Sequence, residues 1–140
     1  LAEILGMDYA FVGEVTDTNA QRVLTCARYA KGEFLKNVEH DLADTPCANV
    51  VGKRLCCYPS GLQARFPRDR ILSDIGAQSY VGTPLFDSAG RTLGLLVVMD
   101  QAPIPNPNFA ESILQIFAVR AAAELERTRA EQALRDSEDR

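Results

Sequence analysis

The sequence predicts an α+β domain, and three stretches carry that prediction. Ser79–Asp100 (SYVGTPLFDSAGRTLGLLVVMD) sets two strongly apolar segments around Asp87-Ser88-Ala89-Gly90, a polar turn ending in the residue most tolerant of positive φ. Asp8–Ala30 holds a second pair of strand patterns, so both pairs read as antiparallel hairpins. A proline-broken loop then leads into one helical pattern that continues to the last residue.

Leu1, Ile4 and Leu5 read as the end of a helix begun upstream, with Gly6 as its stop. Asp8–Thr16 (DYAFVGEVT) and Arg22–Ala30 (RVLTCARYA) are strands joined by Asp17-Thr18-Asn19-Ala20. Strict alternation in the second puts Val23, Thr25, Ala27 and Tyr29 on one face and Leu24, Cys26 and Arg28 on the other. From Lys31 to Gly76 the pattern is irregular. Within it, Pro46–Val51 reads as a short helix with Thr45 as N-cap and Pro46 at the first helical position. Lys53–Tyr58 reads as a strand, Pro59-Ser60-Gly61 as a turn and Gly61–Phe66 as a helical turn, and a helix over Asp69–Ile75 is closed by Gly76.

In the Ser79–Asp100 hairpin, Leu93, Leu95, Val97 and Met99 alternate with Gly94, Leu96, Val98 and Asp100. A strand apolar on both faces is central and covered on both sides. Gly82 and Gly94 point to close approach of a packed helix or a bound molecule, although ordinary packing explains them equally well. Pro103, Pro105 and Pro107 exclude regular structure before the last element, and Asn108 with Glu111 resembles a capping pair for a helix starting near Phe109. Ile113, Ile116, Phe117 and Ala121 form the stripe expected to pack on the sheet. Beyond Leu125 the sequence becomes ERTRAEQALRDSEDR, whose apolar members are Ala130, Ala133 and Leu134. So thin a stripe does not hold a lone helix in water and calls for a partner, most economically the same segment of a second copy. The alternative is a frayed chain end. Residues 1–125 are thus expected to form the domain, and 126–140 the start of a helical linker to a further domain.

The 140 residues suffice for one domain with a core of its own, without metals or disulfides. A net charge of −4, with basic residues dispersed among acidic ones, argues against nucleic-acid binding. No apolar run approaches the roughly 20 residues of a membrane span, and no signal-peptide pattern opens the chain, so we expect no membrane contact and a cytoplasmic location. A start at Leu1 and an end inside a helix pattern suggest a piece of a longer protein. Cys26, Cys47, Cys56 and Cys57 are expected to be reduced thiols.

These segments resemble the GAF family of small-molecule sensor and regulatory domains. The likeness runs from DYAFVGEV through RFPRD and the YVGTPLFDSAGRTLGLLVVMD hairpin to FAVRAAAELER. Tyr80, Gly82, Pro84, Leu85, Gly90, Gly94 and Asp100 carry most of it. The chain looks particularly like GAF domains of bacterial multidomain signalling proteins, in which such a helix leads to a PAS sensor, a histidine kinase or a cyclic-di-GMP enzyme. RAEQALRDSEDR is similar to the linker that precedes a PAS domain. The resemblance implies a central antiparallel sheet with helices on both sides and a pocket roofed by the irregular middle segment. It also implies a homodimer through terminal helices, an unidentified small-molecule ligand and an attached output domain.

The residues offer no convincing catalytic site. His40, the only histidine, lies in a polar segment with no nucleophile-elbow or phosphate-cradling motif, and reads as a solvent-facing loop residue. Cys47, Cys56 and Cys57 fall in the segment that would roof the pocket, where buried inert thiols are the first reading and redox or metal chemistry the others. Adjacent Cys56 and Cys57 on a strand point to opposite faces, so at most one readily joins Cys47, and the C-x8-C-C spacing is not that of a zinc knuckle. GAF relatives that reduce free methionine sulfoxide use thiols at a similar separation to Cys47 and Cys57. Their attacking cysteine has no counterpart in ILSDIGAQSY, so enzymatic function is not expected. The bilin-attaching Cys-His pair is absent, haem ligation would fall on His40 alone, and the Asn-Lys-Phe-Asp-Glu signature of nucleotide-binding relatives is missing, which leaves the cofactor unknown. Arg65, Arg68 and Arg70 either face solvent or favour an anionic ligand. Tyr80 offers a hydroxyl to a ligand or to the backbone. The pocket candidates are therefore Cys47, Cys56, Cys57, Arg65, Tyr80 and Gly82.

Overall fold

The structure, a computed structural model, describes residues 5–16 and 21–138. Leu1, Ile4 and the turn Asp17-Thr18-Asn19-Ala20 lie outside those residues; Leu5 is helical and Gly6 follows at φ 65°. The strands are β1 (Tyr9–Val15), β2 (Arg22–Ala30), β3 (Glu33–Phe34), β4 (Glu39–Asp41), β5 (Cys56–Tyr58), β6 (Ser79–Phe86) and β7 (Thr92–Asp100). The helices are α1 (Leu62–Arg65), α2 (Arg70–Ile75) and α3 (Pro107–Glu138), with a 3-10 turn at Pro46–Asn49. All strand pairs are antiparallel, in the order β3-β2-β1-β7-β6-β5, and β4 takes the other half of the β2 edge. α3 covers one face; α1, α2 and the 31–61 segment cover the other. This is the α+β sheet with helices on both sides that the sequence predicts.

Both hairpins form, but a bulge in each breaks the expected alternation. In β1–β2, Val12 pairs with Ala27 and Gly13 with Thr25, so Cys26 is the extra residue. Val23 and Thr25 keep to one face of the sheet. Past the bulge it is Arg28, opposite Phe11, that takes that face, where strict alternation would seat Ala27 and Tyr29. In β6–β7, Leu85 pairs with Gly94 and Phe86 with Thr92, which moves Leu93 to the α3 side, away from Leu95, Val97 and Met99. Burial of Leu93 through Met99 agrees with a strand covered on both faces.

The Asp87–Gly90 turn is held by the Asp87 carboxylate, which accepts from the N–H groups of Ala89 (2.9 Å) and Arg91 (2.8 Å), while Gly90 takes φ 81°. Gly94 lies against a strand backbone rather than against a helix or a guest, since a Cβ there would overlap the Gly13 carbonyl. α2 begins at Asp69, whose carboxylate accepts from Ile71 N (3.1 Å), and ends at Gly76 in the left-handed region. Thr45 precedes the 3-10 turn without capping it; its hydroxyl donates to the Leu42 carbonyl at 2.7 Å.

α3 starts two residues earlier than the Asn108–Glu111 pair suggests. Asn106 accepts from Phe109 N (3.2 Å), and Pro107 opens the helix where a missing N–H costs nothing. The face on the sheet is Ala110, Leu114, Ala118 and Leu125, packed on Val81, Leu85, Leu96 and Val98 with Phe117 and Ala121 partly buried. Ile116, expected in that stripe, is 68% exposed on the far side. Two polar ties fasten the helix further along. Ser88 Oγ donates to Glu126 (2.6 Å), and Arg129 Nε meets Glu14 at 2.7 Å. From Arg127 to Glu138 every residue is exposed, so the helix extends past the sheet. Among the described residues no helix is long and apolar enough to cross a membrane.

Candidate ligand-binding site

The face opposite α3 encloses a cavity of about 420 Å³. Its floor is the sheet, with Tyr9 and Phe11 from β1, Thr25 and Arg28 from β2, Tyr80 from β6 and Met99 from β7. Its walls are His40 of β4, the Ala43–Cys47 segment, and Ile71, Leu72 and Ile75 of α2. The exposed members of the lining, Leu35, Asp41, Ala43, Arg68, Arg70 and Ile71, place the mouth between the 35–43 segment and α2. Tyr9 Oη donates to the Ile75 carbonyl (3.2 Å), as does Gln101 Nε2 (2.9 Å), which pins the end of α2 to the sheet.

Of the six positions singled out in the sequence, Cys47 and Tyr80 line this cavity. They form one buried pair: the Tyr80 hydroxyl donates to Cys47 Sγ at 3.3 Å. Burial pushes the Cys47 thiol up to about 12, only partly offset by that bond, and drives Tyr80 well above its ordinary value. A thiol held so firmly protonated is no nucleophile at neutral pH. Cys56 is buried in the same core but outside the cavity lining, its Sγ 3.5 Å from the Asn49 carbonyl. Cys57 points to the α3 side, so the sheet separates it from Cys47. Arg65 lies over the Tyr58 ring at 5.3 Å and lines a separate recess of about 320 Å³ with Phe66 and Arg68. Gly82 makes room for the Tyr80 ring, because a Cβ there would stand 2.7 Å from its Oη. Cys56, Cys57, Arg65 and Gly82 are thus not brought to the cavity.

Two residues on its wall depart from the sequence expectation. Arg28 arrives through the β2 bulge, which alternation alone cannot anticipate. His40 is on β4, paired with Val23, with its ring edge-on to Phe11 at 6.1 Å and its Nδ1 buried without a partner. It is a half-buried wall residue rather than a solvent-facing one. Val-Glu-His-Asp carries the alternation of a short strand, the one signal that could have placed it.

Burial holds the His40 imidazole below its usual value, with the Arg28 and Arg22 charges adding to the effect and Asp41 opposing it. The unfolded chain therefore binds a proton more readily than the folded one, so stability is present above the ordinary histidine value of 6.5 and falls as pH drops below it. Urea unfolding midpoints are expected to fall from pH 7 to pH 5, and H40Q is expected to lose most of that slope. An unchanged slope in H40Q would assign it to other groups.

One antiparallel sheet with a cavity on one face and a long helix on the other defines an α+β sandwich domain. The GAF domain model matches residues 1–125, and the chain belongs to the GAF family. Among solved structures it is similar to the GAF domain of an Acinetobacter phosphoenolpyruvate-protein phosphotransferase (TM-score 0.70, 20% identity, 94% of this chain and 78% of that one). It is similar to a red/green cyanobacteriochrome in its red-light-absorbing state (TM-score 0.69, 18% identity, 94% and 90%). A domain of a candidate two-component sensor histidine kinase protein from Sinorhizobium meliloti 1021 also matches (TM-score 0.65, 14% identity, 96% and 89%). At these identities the likeness establishes the fold. No curated protein matches the chain.

Proposed function

We propose that this GAF domain is a non-catalytic regulatory module: a small molecule enters the cavity, and α3 carries the resulting change, as one arm of a homodimer, to an attached output domain of a bacterial signalling protein. The observation that carries the reading is the position of cavity and helix on opposite faces of the same strands. Met99 lines the cavity and its neighbour Val98 packs under α3; Tyr80 and Val81 of β6 are divided in the same way. A guest that shifts β6 or β7 therefore acts on the seat of the helix. It transmits a signal only if it prefers one of two helix positions. The kinship of fold with a sensor kinase domain supports the same reading.

Thiol catalysis finds no support in the geometry, since the Cys47 thiol is held protonated at about 12 and Cys57 is across the sheet. The test is a mixed set of neutral and charged fragments, followed by saturation-transfer NMR and by hydrogen exchange of residues 120–138. Fragments are expected to bind the native protein, to lose binding when Ala43 at the mouth becomes tryptophan, and to alter exchange in α3. Absence of any binder, or binding that leaves α3 exchange unchanged, would overturn the proposal.

A further inference from the structure

We propose that the cavity takes a small amphipathic monoanion, a carboxylate on an aromatic or branched apolar body, with Arg28 meeting the carboxylate. The inference rests on the reading of the cavity as a ligand chamber and names the chemistry of its guest. Arg28 is half-buried on the cavity wall, and among the described residues no carboxylate comes within ion-pair distance of it. Among the described residues the one hydrogen bond of its side chain is from Nη1 to the Lys36 carbonyl at 3.3 Å, which leaves the rest of a five-donor fork uncommitted.

The acids on the wall are already engaged. Asp41 accepts from Arg22 Nη1 at 2.7 Å, and Asp69 caps α2. The other two arginines of the lining, Arg68 and Arg70, are exposed at the mouth, where they draw an anion inward without entering the chamber. Among the described residues the interior thus offers one cation, Arg28, which matches a single charge; a second charge on the guest would be buried unpaired. Phe11 stands directly across from Arg28 on the neighbouring strand and touches His40, whose buried Nδ1 lacks a partner. An aromatic face is therefore flanked by a cation and by an unsatisfied polar atom. The remaining interior, with Leu72, Ile75 and Met99, is apolar, which selects against small hydrophilic acids.

The probes are matched pairs, phenylacetate with phenylacetamide and indole-3-carboxylate with indole-3-carboxamide, titrated by calorimetry or saturation-transfer NMR. The expected result is that the native protein binds the acids at least tenfold more tightly than the amides. R28Q should bring the ratio of acid to amide affinity down to about one, with circular dichroism showing that the variant is folded. R28K should recover part of the preference, because it restores charge without the bidentate fork. Equal binding of acid and amide, or an acid preference that survives R28Q, overturns the monoanion assignment and leaves the chamber reading intact. The same division holds if other fragments bind and neither member of any pair does. If nothing binds at all, both fail.

Discussion

G94A is expected to unfold this domain or to leave it barely folded. A Cβ at Gly94 would overlap the carbonyl oxygen of Gly13, stand 2.8 Å from its carbon and lie 3.0 Å from the Glu14 Cα. All three atoms belong to the backbone of β1, which is held between β2 and β7, so no side chain can rotate away to relieve the clash. The added methyl must pry β7 from β1 at the centre of the sheet. The loss should be about 4 kcal/mol or more, in the range reserved for a few severe mechanisms. Total stability for such a domain is about 5–15 kcal/mol, so the variant should melt well over 10 °C lower or show no cooperative transition. Circular dichroism melting decides it, with G90A as the comparison. Gly90 has φ 81° but open space around it, so alanine there should cost only about 1 kcal/mol. A G94A melt no lower than that of G90A would mean that the strands accommodate the methyl and that their close approach is not needed.

The same region explains how much was legible in the sequence. The Ser79–Asp100 hairpin announced itself because two apolar segments flank a turn whose Asp87 and Gly90 suit no strand interior. Asp69 and Gly76 marked the ends of α2 through the chemistry of capping, which is local. What went astray was long-range. The bulge at Cys26 depends on how β1 and β2 pair, and nothing within RVLTCARYA announces the missed partner that turns Arg28 to the cavity. Ile116 sits one helical step from residues that do pack on the sheet, so periodicity assigned it to the wrong side of α3. Gly82 and Gly94 are sites of close approach, but not of the packed helix or bound molecule that the sequence suggests. The neighbours, a tyrosine ring two residues away and an adjoining strand, could be named only once the register was known. For the cavity, the resemblance to the GAF family indicated which segment forms the roof, and the polar residues that distinguish its interior, Arg28 and His40, came from pairing.

The I116E/V119E double variant is expected to convert the proposed dimer of this domain into a monomer without harming its fold. Ile116 is 68% exposed, Val119 75% and Leu134 61%; the first two lie on the part of α3 whose other face packs on the sheet, the third on the part that extends past it. With Ala123 and Ala130 between them they lie at spacings of three, four, seven and four residues, a heptad-like seam, interrupted at Glu126 and Arg127, that suits a second copy of α3. Leaving such side chains wet forgoes roughly 1.5–3 kcal/mol each, which pairing would recover. Two copies of the double substitution remove four of these contacts and place like charges in the seam. Dimer dissociation constants should therefore weaken by about a hundredfold or more, each tenfold being about 1.4 kcal/mol. Because neither side chain is buried in its own chain, circular dichroism and the melt of the dissociated protein should be unchanged. Sedimentation equilibrium of the native protein, the double variant and a version ending at Leu125 separates the contributions. The upper part of α3, which holds Ile116 and Val119, survives in the shortened protein, so that protein should dimerise more weakly than the full chain and more strongly than the double variant. A native protein that stays monomeric at high micromolar concentration, or a double variant that associates as well as the parent, would remove the helix as the proposed dimer contact and with it the proposed route from the cavity to an output domain.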